Sequence, residues 1–157
     1  MTVTNLSPAR SREPKPLIPD LAIFYPVAAD LSWVLIRLLA GLLLLPHGWP
    51  KLMAGPAAVG ANVAARRGFE PALFFGFLLI FLETVGGIMI ALGLFTRFIA
   101  ALLLFEFIVI WQVHAPRGWS GSVNGLEYVL LWGLLFFAIL LRGGGPYSLD
   151  RKLGWEL

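Results

Sequence analysis

Cysteine is absent from this 157-residue chain, histidine occurs twice, and only 13% of the residues carry charge. Without thiols there is no disulfide, thiolate metal site, iron–sulfur cluster or cysteine redox chemistry within the chain. Any electron transfer therefore has to use a bound cofactor or another subunit. Charge is too sparse for a soluble domain of this length. The net +3 is spread around the ends of apolar runs, which orients a membrane protein and excludes a nucleic-acid reading. An apolar stretch behind the first basic residues is also missing, so the N-terminus is not read as a cleavable signal. Residues 1–20, with Pro8, Pro14, Pro16 and Pro19, read as a disordered tail. Residues 21–29, interrupted by Pro26, extend that tail along the membrane interface, so 1–30 forms one N-terminal segment.

What is present is apolar: 59% of the residues are hydrophobic and the mean hydropathy is +0.82. Four apolar runs, 31–49, 72–95, 98–115 and 126–141, each approach the ~20 residues that span a hydrocarbon core. Gly93 and Thr96-Arg97 predict a tight turn that makes a hairpin of the second and third runs. The loop 116–121 carries an interfacial Trp119, and the connection 52–71 carries a short surface helix around 57–65. Short links between antiparallel spans predict an all-α fold, a transmembrane four-helix bundle running up-down-up-down over 31–153, with 154–157 as a tail. Arg10, Arg12, Lys15, Arg97, Arg142, Arg151 and Lys152 lie on one side, against Lys51, Arg66, Arg67 and Arg117 on the other. That asymmetry predicts a plasma (inner) membrane protein with both termini cytoplasmic.

The polar residues inside the runs carry the functional argument. Glu83 falls near the centre of the second run, where a charge costs roughly 2.5–3.5 kcal/mol even on a lenient scale. Counting 1.5 Å per residue from the outer ends places Arg37 ~18 Å deep, Glu83 ~16 Å and Glu106 ~12–15 Å. A shared depth predicts an Arg37–Glu83 or Arg37–Glu106 pair. One arginine offsets one carboxylate, so the other carries a proton near neutral pH. An outer layer holds His47, Lys51, Gln112, His114, Asn124, Glu127 and Tyr128, and Pro46 loosens the helix before His47. Helical spacing puts Arg37, Gly41, Gly48 and Lys51 on one stripe, and Gly76, Glu83 and Gly87 on another, so small residues let the charged faces turn inward. His47, His114 and Glu127 are expected to line one cavity. A bis-histidine haem or copper site at His47 and His114 is disfavoured, because no supporting ligands accompany them. The competing reading is structural: buried polar residues as interhelical glue, and Lys51 snorkelling to the interface.

Read together, Arg37, His47-Gly48-Trp49-Pro50-Lys51-Leu52, Glu83-Thr84-Val85-Gly86-Gly87, Gly93-Leu94-Phe95-Thr96-Arg97, His114, Gly125-Leu126-Glu127-Tyr128 and Gly143-Gly144-Gly145-Pro146-Tyr147-Ser148-Leu149-Asp150 resemble the DoxX family. The resemblance covers about residues 32–153, and Glu106 does not map onto it. It implies a small four-helix membrane protein associated with membrane redox and thiol-stress complexes; the related DoxD is a subunit of thiosulfate:quinone oxidoreductase. By resemblance, a quinone head group binds in the outer pocket, with His47 or His114 on a carbonyl and Glu83 and Glu127 relaying protons. In that reading Arg37 tunes the carboxylates, Lys51 attracts an anionic substrate or reduced quinone and Tyr128 joins the lining, while Glu106 is a candidate by its depth alone. The expected partners are the lipid bilayer and other subunits of a membrane complex, with a homo-oligomer also open. The alternatives are a non-catalytic membrane anchor and a small proton-coupled carrier, the second opposed by the lack of an inverted repeat.

Overall fold

The computed structural model describes residues 17–115, 118–119 and 125–155. The expected disordered segment before residue 17, together with Arg117 and Asn124, lies outside the described residues. Every element among those described is helical. A 3-10 turn, Pro19–Phe24, leads into α1 (Tyr25–Leu42), followed by α2 (Leu45–Ala54) and α3 (Pro56–Arg67). α4 (Ala72–Phe81), a π turn (Leu82–Gly86) and α5 (Gly87–Leu92) form one continuous rod. α6 (Thr96–His114), α7 (Leu126–Arg142) and the short α8 (Leu149–Leu153) complete the chain.

Proline explains the first break. Pro46 has no N–H to offer Leu42, so α1 ends there and a new helix begins at Leu45. At the start of α2 the missing donor costs nothing, because the first N–H groups of a helix have no partner anyway. α2 then runs past Pro50 to Ala54, further than the apolar run 31–49 implies. The segment 21–29 is helical, its 3-10 turn leading directly into α1. The short helix expected around 57–65 is present as α3.

Close approach between rods depends on glycine. A Cβ on Gly41 would stand 2.2 Å from the Gly87 carbonyl oxygen, and one on Gly48 would stand 2.7 Å from that of Glu83. These contacts run α1–α2 antiparallel to α4–α5, with backbones nearer than any side chain permits. α6 and α7 are also antiparallel, since Arg97 at the start of α6 donates to the Leu140 and Leu141 carbonyls at the end of α7, both at 2.8 Å. Trp33, Leu82, Ile99, Leu103, Trp132 and Phe136 form part of the shared core.

The exterior is apolar. Leu35, Phe74, Phe77, Ile88, Phe105, Leu131 and Leu134 are among many large apolar side chains left exposed on successive helices. Two rods, Pro19–Ala54 of 36 residues and Ala72–Leu92 of 21, are long and apolar enough to cross a membrane.

Candidate functional site

The π turn sets the site. An extra residue per turn over Leu82–Gly86 rotates Glu83 relative to a regular helix, and π turns recur at functional positions. Thr84 supports the irregularity, its hydroxyl donating to the Ile80 carbonyl at 2.6 Å. Glu83 is only 4% exposed and points toward α2. There Lys51 donates to both of its carboxylate oxygens in a two-pronged ion pair.

This corrects the pairing read from depth. Arg37 meets neither Glu83 nor Glu106; it lies a helix's length away, at the end of α5. Its Nη1 donates to the Gly144 carbonyl and its Nη2 to that of Tyr147 at 3.3 Å. The Asp150 carboxylate is the acidic charge nearby. The reason is the length of α2. Because the helix continues to Ala54, Lys51 lies inside the helical rod rather than at its end, and Gly48 rather than Arg37 faces Glu83.

Glu106 lies against the Glu83 carboxyl and within reach of the Lys51 charge. Both of its oxygens are buried without a hydrogen-bond partner. Two ionised carboxylates in contact present only acceptors, and a single proton between them would supply the missing donor. Glu83, Glu106 and Lys51 thus lie together, with Lys51 in the place expected for Arg37.

Beside this cluster is a cavity of about 360 Å³. Lys51 and the buried Glu106 are among its polar lining residues, and Leu78, Leu79, Phe75 and Phe105 are among its apolar walls. Arg66 and Arg67 of α3 also line it. Of the eight residues proposed from sequence, the structure thus gathers Lys51, Glu83 and Glu106. His47 is exposed on α2. His114 is half-buried at the end of α6, its Nδ1 placed 3.0 Å from the Ile110 carbonyl. Glu127 is exposed, and Tyr128 meets the Trp132 ring edge-on. None of these four lines the cavity. Two lining cations were missed, because Arg66 and Arg67 were counted only as topology markers. Their spacing from Val59 and Val63 is the signal that places them on the same helical face.

The DoxX family profile matches residues 32–115, more than half of the chain. The chain belongs to the DoxX family. A similar relative is an uncharacterized membrane protein of Mycobacterium tuberculosis, 37% identical over 136 residues, covering 78% of this chain and 81% of the relative. An uncharacterized protein of Haemophilus influenzae is 31% identical over 123 residues, covering 74% and 87%. No solved structure matches. Family membership, the two candidate spanning rods and the apolar exterior together make this DoxX chain a membrane protein.

Proposed function

We propose that this DoxX chain is a subunit of a membrane redox complex whose cavity takes the head group of a quinone and exchanges protons with it. The observation that carries the reading is Glu106, a buried carboxyl with neither oxygen bonded, lining an apolar cavity beside the Lys51–Glu83 pair. A quinone presents carbonyl acceptors on a flat apolar ring. A carboxyl holding a proton and an ammonium are the donors that such a ring requires. Reduction of a quinone to the quinol takes up two electrons and two protons; the electrons would come from a partner subunit, and the Glu83–Glu106 pair would pass the protons one at a time, each replaced from water. His47, His114, Glu127, Arg37 and Tyr128 lie outside the cavity lining and take no part in this reading. A non-catalytic anchor is the second reading, favoured by an apolar groove of about 350 Å³ between α6 and α7, where Gly133 leaves a notch near Phe107.

The test is a titration of the protein, in lipid nanodiscs, with a short-chain quinone analogue. Saturable binding is expected, weakened about tenfold in Glu106→Leu by the loss of one buried hydrogen bond, with helix content unchanged. Binding that is unsaturable, or equal in the variant, rejects the quinone reading. Partner subunits recovered with no bound quinone support the anchor instead.

The arrangement we assign is four spans, α1–α2, α4–α5, α6 and α7, running up-down-up-down in the plasma membrane with both termini cytoplasmic. The asymmetry of basic residues supports it. The chain's lack of cysteine allows a direct check. Leu17→Cys is expected to react with an impermeant maleimide only after the cells are opened, and Trp119→Cys in intact cells. The reverse pattern inverts the orientation.

A further inference from the structure

α3 presents an unusual face to the cavity. Val59, Asn62, Val63, Arg66 and Arg67 recur at helical spacing and all line it. Arginines serving only as interfacial anchors belong on the opposite, water-facing side of such a helix. Here they share a face with two valines and look onto Phe69 and Leu79. No carboxylate pairs with either among the described residues, since Glu70, three or four positions on, instead accepts from the Ala72 N–H at 2.7 Å. The Nε of Arg67 is buried and unpartnered. Glu83 does not use this charge, because it is already paired with Lys51. Two adjacent guanidinium groups lining an apolar cavity therefore lack a counter-charge among the described residues.

We infer that this face is a binding site for the phosphate head group of an anionic lipid, held by Arg66 and Arg67 with Asn62, the lipid chains lying against the apolar wall of Leu79 and Phe105. Guanidinium forks bind phosphate oxygens two at a time, and the buried arginine nitrogen awaits an acceptor. A lipid is favoured over a soluble phosphate because the walls next to the arginines are apolar and Phe105, at 57% exposure, opens toward the surrounding lipid. Arg66 is exposed where Glu106 is buried, so the arginines form the outer part of the same cavity, and the lipid assignment is tested at Arg66 and Arg67 rather than at Glu106.

The test uses the purified full-length chain, stripped of lipid in mild detergent and titrated with short-chain phosphatidylglycerol or phosphatidylcholine, bound lipid being counted by native mass spectrometry. Phosphatidylglycerol is expected to bind about thirtyfold more tightly, the effect of two basic residues on an anionic head group. Arg66→Gln/Arg67→Gln abolishes that preference while leaving phosphatidylcholine binding unchanged, and Lys152→Gln, at an exposed position of α8, keeps it. Arg66→Lys/Arg67→Lys, which retains charge but not the fork, keeps part of it, a result that mere misfolding does not produce. Equal affinity for the two lipids in the wild type, or a preference that survives Arg66→Gln/Arg67→Gln, overturns the assignment. Displacement of the lipid by inorganic phosphate at similar concentration overturns the lipid as its source and leaves a soluble-anion site. Loss of quinone binding in Glu106→Leu leaves all of these outcomes unchanged, so the two proposals fail separately.

Discussion

Lys51→Met is expected to destabilise the folded chain by about 2–3 kcal/mol, toward the low end for a broken buried ion pair because Lys51 keeps one-third of its side chain exposed. The substitution fills similar volume, so the effect isolates charge. It leaves Glu83 and Glu106 in contact with no cation to offset either. Glu83→Gln alone strands the ammonium, which reaches water more easily, and costs less. The double variant Lys51→Met/Glu83→Gln removes both charges and should recover much of the loss, giving a strongly non-additive cycle. Thermal midpoints in detergent measure all three. The same cycle run with Arg37→Leu and Glu83→Gln is expected to be additive, since Arg37 bonds to Gly144 and Tyr147 instead. Additivity for Lys51 and Glu83, with coupling for Arg37, would restore the pairing read from depth alone.

That misassignment shows where legibility stops. Apolar runs, the Gly93 turn, the short α3 and the glycine-lined contact of two rods were all legible, because each follows from a periodicity or from a residue with special backbone freedom. Gly93 has φ of +70° and ends α5, with the Leu94 N–H reaching back to the Met89 carbonyl at 2.9 Å. Depth was not legible to the same degree. The first run reads as ending at Trp49 with Pro46 loosening it, yet a helix restarted at Leu45 tolerates that proline and carries Lys51 inside the rod. Arg37 was hard for another reason. Its partners are backbone carbonyls, which any residue supplies, so no side-chain type in the sequence marks them. The π turn has only Thr84 and the Gly86-Gly87 pair as local signals, and neither predicts it.

The closing motif, in contrast, has a residue whose loss should be felt throughout the lower end of the fold. Asp150 is 4% exposed and lies on α8, 54 residues from the Thr96 it serves. Its carboxylate accepts the Phe95 N–H at 2.7 Å, the Thr96 N–H at 2.9 Å and the Thr96 hydroxyl at 2.6 Å. Its own N–H donates to the Gly93 carbonyl at 2.9 Å. Asp150 thus caps α6 from a distance, satisfying N–H groups that a local Ser or Asp usually serves. Nearby, Gly144 and Tyr147 hold Arg37, and the Trp33 indole donates to Gly143 at 3.2 Å. Asp150→Ala leaves three donors around the fully buried Thr96 unpaired, at about 1–3 kcal/mol each before relaxation. A loss of roughly 4 kcal/mol is expected, well above the ~1 kcal/mol of an ordinary helix cap. Asp150→Asn keeps one acceptor oxygen and should fall between. Thr96→Val removes a single donor at nearly constant shape and should cost about 1 kcal/mol. Thermal unfolding in detergent gives the order, and trypsin gives an independent reading. Release of the motif exposes the bonds after Arg151 and Lys152, so cleavage there should accelerate in the same order as the stability falls. Equal stability of Asp150→Ala and Thr96→Val would mean that the carboxylate contributes nothing beyond the threonine hydroxyl, and the closing motif would then be a tail resting on the fold rather than a part that holds it.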